Sequence, residues 1–315
     1  MKSILKSIFL ALPKSVQRYI MVHWVNPRRS IQKYQDHYGY RPNLQHPELF
    51  SEKVLQRVHT TCQTSDHYTL LADKYRVREF ITATIGAEYL IPLINDFDSV
   101  DGFIEDYATN PEQYRHSVVK INHGSGRNYF IHDEILSAEQ IKALRQKLHG
   151  WFLREDSSGH ESHYLRMKPH IVVERNMSIY TPELVDYKFH MFKQADGSFQ
   201  YVLHFLQNRS VKLTRTFFIN NLTDSYTPPE QYVLDYYPFT AHQFDPDVLP
   251  HVEKMITLSQ HLMNDLNYAR IDWYLVDGAI YFGEITLTPA GGVYLTYLGE
   301  SLNRRMGQMW VNNPH

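Results

Sequence analysis

Cysteine is nearly missing from this chain. Cys62 stands alone among 315 residues, which excludes intrachain disulfides and any zinc site built on several thiolates. A reducing compartment fits best, so a cytoplasmic location is expected, with the inner face of the membrane as the alternative. An excess of one charge is missing too. With 32 Lys and Arg against 34 Asp and Glu, the formal charge is −2, and no global basic field marks a nucleic-acid binder. Long apolar runs are absent: IFLAL, near the N-terminus, is closed by Pro13 and is too short for a signal-peptide core. Nothing reaches the ~20 apolar residues needed to span a bilayer. Internal repeats and low-complexity segments are absent as well. Aromatic side chains are plentiful, at 14% with 23 Tyr, and suit a surface that contacts a ligand.

The length allows one large domain or two to three subdomains, and 43% apolar residues can furnish a sizeable core. Ile4, Leu5, Ile8, Phe9 and Leu12 follow a helical period. The expected reading is a helical arm docked on the protein's own core, with peripheral membrane contact through residues 1–24 as the alternative. Residues 66–85 read as one helix stopped by Gly86, followed by a short strand at 89–94. HSVVKINHGSGRNYFIHD (116–133) reads as strand, turn, strand. Ser137 and Gln140 form a capping-box pattern that opens a helix to about Arg154. Strands follow at 170–177, 184–192, 198–206 and 212–219. Asp245-Pro246 then starts an amphipathic helix through Leu266. Strands and helices are mixed without βαβ alternation, so the class is α+β.

The segment ARIDWYLVDGAIYFGEITLTPAGG (269–292) poses a problem. It reads as a hairpin turning at Asp277-Gly278, yet its strands carry Arg270, Asp272 and Glu284. Charges in a half-buried sheet are costly unless paired. A two-residue loop would put Glu284 on the opposite face from Asp272. A three-residue loop, with Gly278 left-handed in a bulge, would gather Arg270, Asp272, Glu284 and Thr286 on one face, and that loop is expected. Two carboxylates and a hydroxyl on one face suit Mg²⁺ shared with phosphates. An internal salt bridge of Arg270 with either acid is the alternative.

Other clusters are weaker singly. VVKINHGSGR (118–127) delivers Lys120 on an apolar strand and then a turn whose backbone N–H groups at Gly124, Ser125 and Gly126 could cradle an anion. It matches neither the P-loop nor G-x-G-x-x-G, and H-G-S-G-R is not a nucleophile elbow. Asp73-Lys74 sits in the 66–85 helix, Glu174 ends the strand IVVE, and Asp186 and Lys188 share a face of LVDYKFHMF. HESH (160–163) lacks the H-E-x-x-H spacing of a zinc site.

In order along the chain, ADKYRVR, VVKINHGSG, IVVE, DYKF and RIDWY…GEITLTPAGG resemble an ATP-grasp enzyme, closest to the teichuronopeptide-biosynthesis (TupA-like) branch, over residues 34–297. The resemblance implies two α+β lobes with mainly antiparallel sheets sandwiching ATP, plus the N-terminal helical arm. Its expected divisions are an arm at 1–48, a pre-grasp segment at 49–115, a small lobe at 116–178 and a large lobe at 179–315. It implies ATP and Mg²⁺ as cofactors. Lys74 and Lys120 would contact phosphates under the Gly124–Gly126 loop. Glu174 would lie at the adenine pocket, with Asp186 or Lys188 toward the ribose or phosphates. Asp272 and Glu284 would hold Mg²⁺, and Arg270 would face the transferring phosphoryl group. Thr286 stands where many of these ligases carry Asn. The implied activity is carboxylate–amine ligation in cell-surface polysaccharide synthesis. Separately, Arg209, Lys212 and Arg215 lie in a linker-like aromatic region and could bind an acidic substrate, with solvated strand charges as the alternative. Alternatives are an ATP-grasp kinase acting on a glycan hydroxyl and a non-catalytic ATP-binding component of an assembly complex.

Overall fold

The computed structural model describes residues 9–124, 126–153, 161–207, 212–227 and 239–311. Ser125 and Arg209, both singled out above, lie outside the described residues, as do Ile4, Leu5 and Ile8 of the arm.

Two antiparallel sheets organise the chain. Leu93–Phe97 (β1), Ser117–Ile121 (β2), Asn128–Ile131 (β3) and Ile171–Arg175 (β4) form the smaller, in the order β1-β4-β2-β3. Alternation assigns its faces. Val119, Ile121, Ile171 and Val173 point to the helices Val100–Thr109 and Ala138–Leu153, packing with Phe103, Leu144 and Leu148. Lys120 and Glu174 therefore fall on the opposite face. The Ser137 capping box forms as read: Ser137 N–H donates to Gln140 Oε1 at 2.8 Å, and the Ser137 hydroxyl accepts from Gln140 N–H.

The larger sheet contains Asp186–Lys193 (β5), Phe199–Gln207 (β6), Thr214–Ile219 (β7), Ser225–Tyr226 (β8), Tyr268–Val276 (β9) and Ala279–Thr286 (β10). Their order is β10-β9-β5-β6-β7-β8. Tyr187, Phe189, Met191, Ile271 and Trp273 bury one face under the helix Leu249–Met263. On the other face Phe192, Tyr268 and Phe217 are covered by Phe50, Leu302, Met306 and Trp310. The rest of that face carries the charges. Paired across strands, Glu284, Asp272, Lys188 and His204 form one row, and Thr286, Arg270 and His190 the next.

The hairpin reaches this arrangement by a different route from the one expected. Val276 pairs with Ala279, so the loop has two residues, Asp277 and Gly278, both left-handed (φ 50° and 73°). Such a turn matches the twist of the flanking strands. The register then shifts between Phe282 and Glu284, leaving Gly283 as a bulge. Glu284 comes opposite Asp272, and Thr286 opposite Arg270. The extra residue sits inside the strand, not in the loop.

Two further elements differ from expectation. The 66–85 helix is broken into Asp66–Ala72 and Val77–Thr84. Asp73 is the cause: its backbone is extended (ψ 110°) and its Oδ1 accepts the N–H groups of Tyr75 and Arg76, in the manner of an N-cap. The strand expected at 89–94 begins only at Leu93, directly after Pro92, because proline cannot donate to the ladder. Residues 87–89 form a 3₁₀ turn instead.

The arm is helical from Lys14 through Tyr38, with a π-helical turn at Met21–Val25. It does not dock as expected over its described early part. Leu10, Tyr19 and Trp24 are 60%, 59% and 56% exposed, and no described residue before Tyr34 joins a buried apolar cluster. Among the described residues, no helix is long and apolar enough to cross a membrane.

Candidate active site

A cavity of about 610 Å³ lies between the charged faces of the two sheets. That volume is ordinary for a small-molecule site. The smaller sheet contributes Lys120 and Glu174, the helix break contributes Lys74, and the helix after it contributes Arg78. Glu174 binds both Lys120 Nζ and Arg78 Nη1, each at 2.6 Å. Among the described residues, Lys74 meets no carboxylate within ion-pairing distance. Its N–H donates to the Asn122 carbonyl, and its Nζ donates to the Gly124 carbonyl at 2.8 Å. Burial, with Lys120 adding repulsion, holds the Lys74 ammonium below its ordinary pKa despite the attraction of Glu284. Lys120 goes the other way: burial is the largest single influence and lowers its pKa, but Glu174, with help from Tyr274 and Glu284, raises it overall.

The opposite wall is a connected network. Asp272 Oδ1 accepts from Arg270 Nε at 2.7 Å, and its Oδ2 accepts from Arg270 Nη2 at 2.8 Å and Lys188 Nζ at 2.6 Å. Lys188 also lies 3.1 Å from Asp186. Arg270 Nη2 reaches Glu284 Oε1 and Thr286 Oγ1, each at 2.9 Å. The Asp272 side chain is 2% exposed, whereas that of Glu284 is 39% exposed and opens into the cavity. Burial would raise the Asp272 pKa, yet Arg270 and Lys188 hold it below the usual carboxylate value. Burial is the largest influence on Lys188 and Arg270 and disfavours their charged forms, but the surrounding anions together raise both, Asp272 with Asp186 at Lys188 and Asp272 with Glu284 at Arg270.

Lys74, Lys120, Gly126, Glu174, Asp186, Lys188 and Glu284 line the cavity together. Arg270, Asp272 and Thr286 stand behind Glu284 and Lys188, reached through hydrogen bonds. Gly124 holds Lys74 from the adjoining turn, where Gly124 and Gly126 are both left-handed (φ 77° and 70°). The residues proposed for an acidic substrate are not gathered there. Lys212 is exposed, and Arg215 is buried farther along the same sheet face, its guanidinium 4.6 Å from the Tyr297 ring centre. The connection from β4 to β5 also lines the cavity, through Ser178, Glu183 and Leu184, as does Tyr274. Sequence reading gave these no role, although any segment joining the two sheets had to pass the gap between them.

Among the described residues, no group of three or more His, Cys, Asp or Glu is arranged to hold a metal ion. The donors fit a hard cation in kind, as two carboxylates on neighbouring strands, although both contact Arg270 Nη2. Glu284 is the one with room to accept it. Asp272 is engaged by Arg270 and Lys188, and the Thr286 hydroxyl by Arg270. The set suits a cation that takes its remaining oxygens from phosphate.

The profile of a family described as TupA-like ATPgrasp matches residues 52–311. No relative among curated proteins matches the chain. Similar solved structures include an ADP complex of N5-carboxyaminoimidazole ribonucleotide synthetase, 13% identical over 72% of this chain and 47% of that one, with a TM-score of 0.40. D-Alanine-D-alanine ligase from Helicobacter pylori is 14% identical over 78% of this chain and 62% of that one, with a TM-score of 0.44. The macrocyclase MdnC of Microcystis aeruginosa, bound with its precursor peptide MdnA, is 13% identical over 78% and 63%, with a TM-score of 0.37. The chain thus spans about half to two thirds of the length of these structures.

Proposed function

This chain belongs to the TupA-like ATP-grasp family, and from that premise we propose that it is an ATP-dependent carboxylate–amine ligase. The observation that carries the reading is one cavity with two unlike walls, cation-rich on one side and carboxylate-rich on the other. In the proposed reaction a substrate carboxylate oxygen attacks the γ-phosphorus of ATP and ADP leaves. An amine then attacks the acyl carbon, phosphate leaves with its C–O bond broken, and the amine gives up a proton.

Lys74 and Lys120 would bind the triphosphate, with the Gly124–Gly126 turn folding against it. Leu71, Val77, Leu184 and Phe282 offer apolar surface for the base. Glu174 keeps Lys120 and Arg78 in place, and Lys188 would serve the phosphate side with Asp186 behind it. Arg270 would meet charge developing on the transferring phosphoryl group, an interaction worth most where water is excluded. Glu284 would hold Mg²⁺, with Asp272 as the second carboxylate. Mg²⁺, when bound, supplies charge neutralisation for the triphosphate. Arg215 is the best supported of the substrate residues, since its pairing through Leu206 and Asp186 puts it on the same face of the larger sheet as Arg270.

Its likeness to the teichuronopeptide branch supports an acceptor from cell-surface polysaccharide synthesis, a uronic acid or a sugar-linked amino acid, handled in the cytoplasm where ATP is available. The test is a screen for ADP and phosphate release against paired uronic acids and amino acids. Release of both products, dependent on both substrates, is expected. ADP without free phosphate would instead identify a kinase, and no turnover with any pair would leave a nucleotide-binding component.

A further inference from the structure

The formal charge of −2 conceals a sharp division. The first 35 residues hold seven basic residues (Lys2, Lys6, Lys14, Arg18, Arg28, Arg29 and Lys33) and not one Asp or Glu, since the first acid is Asp36. The remaining 280 residues therefore carry a formal −9. Within this basic segment, the described residues before Asn26 belong to none of the buried apolar clusters. Helix Asn26–Tyr38 is fastened along one face by Asn26, Ser30 and Tyr34, all buried. Ser30 Oγ lies 2.7 Å from His59 Nε2, and Tyr34 Oη lies 2.9 Å from Ser51 Oγ. The helix continues N-terminally past these anchors. There the large side chains turn outward: Val16 is 40% exposed, and Leu10, Tyr19 and Trp24 more so. The Arg28 guanidinium lies 6.0 Å from the centre of the Trp24 ring.

We propose that residues 9–35 form a peripheral anchor that lays Leu10, Val16, Tyr19 and Trp24 into an anionic lipid surface while Arg28, Arg29 and their neighbours meet its headgroups. Two independent features select this occupant. Tyr and Trp are the side chains that favour the boundary between headgroups and acyl chains, having an apolar body and a polar edge. An arm with basic residues and no acid is complementary to anionic headgroups, and such attraction adds up residue by residue. A second copy of the chain is the competing occupant, because its acidic body also complements the arm. Lipid is favoured because the exposed apolar residues face outward singly, and the wide spacing suits a fluid surface better than a packed seam.

The experiment is co-sedimentation of the full chain with vesicles of phosphatidylglycerol and phosphatidylcholine, beside vesicles of phosphatidylcholine alone. Binding is expected on the anionic vesicles, falling about tenfold or more on neutral ones and when the salt is raised to about 0.5 M. The double variants Tyr19→Ala/Trp24→Ala and Arg28→Glu/Arg29→Glu should each lose most of that binding. Both should keep wild-type ATP affinity and melting temperature, since the altered side chains are exposed. Absence of binding to anionic vesicles, equal binding to neutral ones, or binding untouched by both variants would overturn the anchor. So would self-association without lipid that Trp24→Ala abolishes, which would assign the arm to a second copy.

Discussion

The two walls of the cavity draw on the same kinds of side chain and balance them oppositely. On the wall of the smaller sheet, Lys74, Arg78 and Lys120 are set against a single carboxylate, Glu174. On the other wall, Asp186, Asp272 and Glu284 are set against Lys188 and Arg270. The first wall has positive charge to spare and presents it to the cavity, as befits a surface that awaits an anion. The second is centred on Asp272, which is sealed from water and neutralised by two cations. Its surplus negative charge sits at the rim, on Glu284. An acid at the centre of a buried network is bound up with folding, whereas an acid at the rim is available to a ligand. The walls therefore make separable predictions.

The largest effect should come from the sealed centre. Asp272→Asn leaves Arg270 and Lys188 buried without their shared anion, and removing one member of such a network costs about 3–5 kcal/mol. Urea denaturation should show that loss together with abolished turnover. The pH dependence has a definite sign. Because the folded pKa of Asp272 is depressed, its stabilisation is present above the unfolded value of about 3.9 and is lost as pH falls through the lower folded value. Lys188 is raised, so its share is complete below the unfolded value of about 10.4 and is lost only as pH rises through a higher folded value. The variant should show a flatter acid limb than wild type. A loss below about 1 kcal/mol would mean that water reaches Asp272, and the contrast between centre and rim would break.

Glu284→Gln tests the rim. Stability should stay within about 1 kcal/mol, because the side chain is partly exposed and Arg270 keeps Asp272. Turnover should fall on the order of 10²-fold, with nucleotide binding weakened but measurable by calorimetry. Near-normal turnover at limiting Mg²⁺ would reduce both carboxylates to structural partners of Arg270. On the opposite wall, Lys120→Met should act on binding first, weakening ATP by about tenfold, since a charge-assisted contact to the ground-state phosphates is lost. Glu174 would remain paired with Arg78, so the melting temperature should barely move. Equal damage to binding from Glu284→Gln and Lys120→Met would erase the difference between the walls.

Much of this contrast was legible in the sequence, though not its mechanics. Alternation along DYKF was enough to set Asp186 and Lys188 on one face, because strand period is a local property. The convergence of Arg270, Asp272, Glu284 and Thr286 was also anticipated, but for the wrong reason. A lone glycine within a strand gives only a weak bulge signal, and the turn at Asp277-Gly278 drew the extra residue toward itself. The break at Asp73 was hidden by an apolar pattern that runs on through it, although an acid followed by unfilled N–H donors is an N-cap wherever the chain permits one. Ion pairing between elements distant in sequence was not legible. Arg78 and Glu174 are 96 positions apart and meet only because a helix and a strand pack together.

The smallest expected effect probes that missed bulge. A methyl group added at Gly283 would lie 3.0 Å from the Asp272 carbonyl oxygen and 3.1 Å from Tyr274 Cε2. The tyrosine can swing, but the carbonyl belongs to the partner strand and can yield only by a small shift of β9 against β10. Gly283→Ala should therefore cost about 1 kcal/mol, at the low end for an added methyl in a packed site. Its effect on turnover should exceed its effect on stability, because the strain falls between Asp272 and Glu284, the two acids whose spacing the bulge sets. A modest fall in melting temperature with a several-fold drop in turnover and little change in ATP affinity is the expected pattern. Full turnover in Gly283→Ala would show that the carboxylate-rich wall tolerates a shift in register, and that its geometry is held by Arg270 rather than by the bulge.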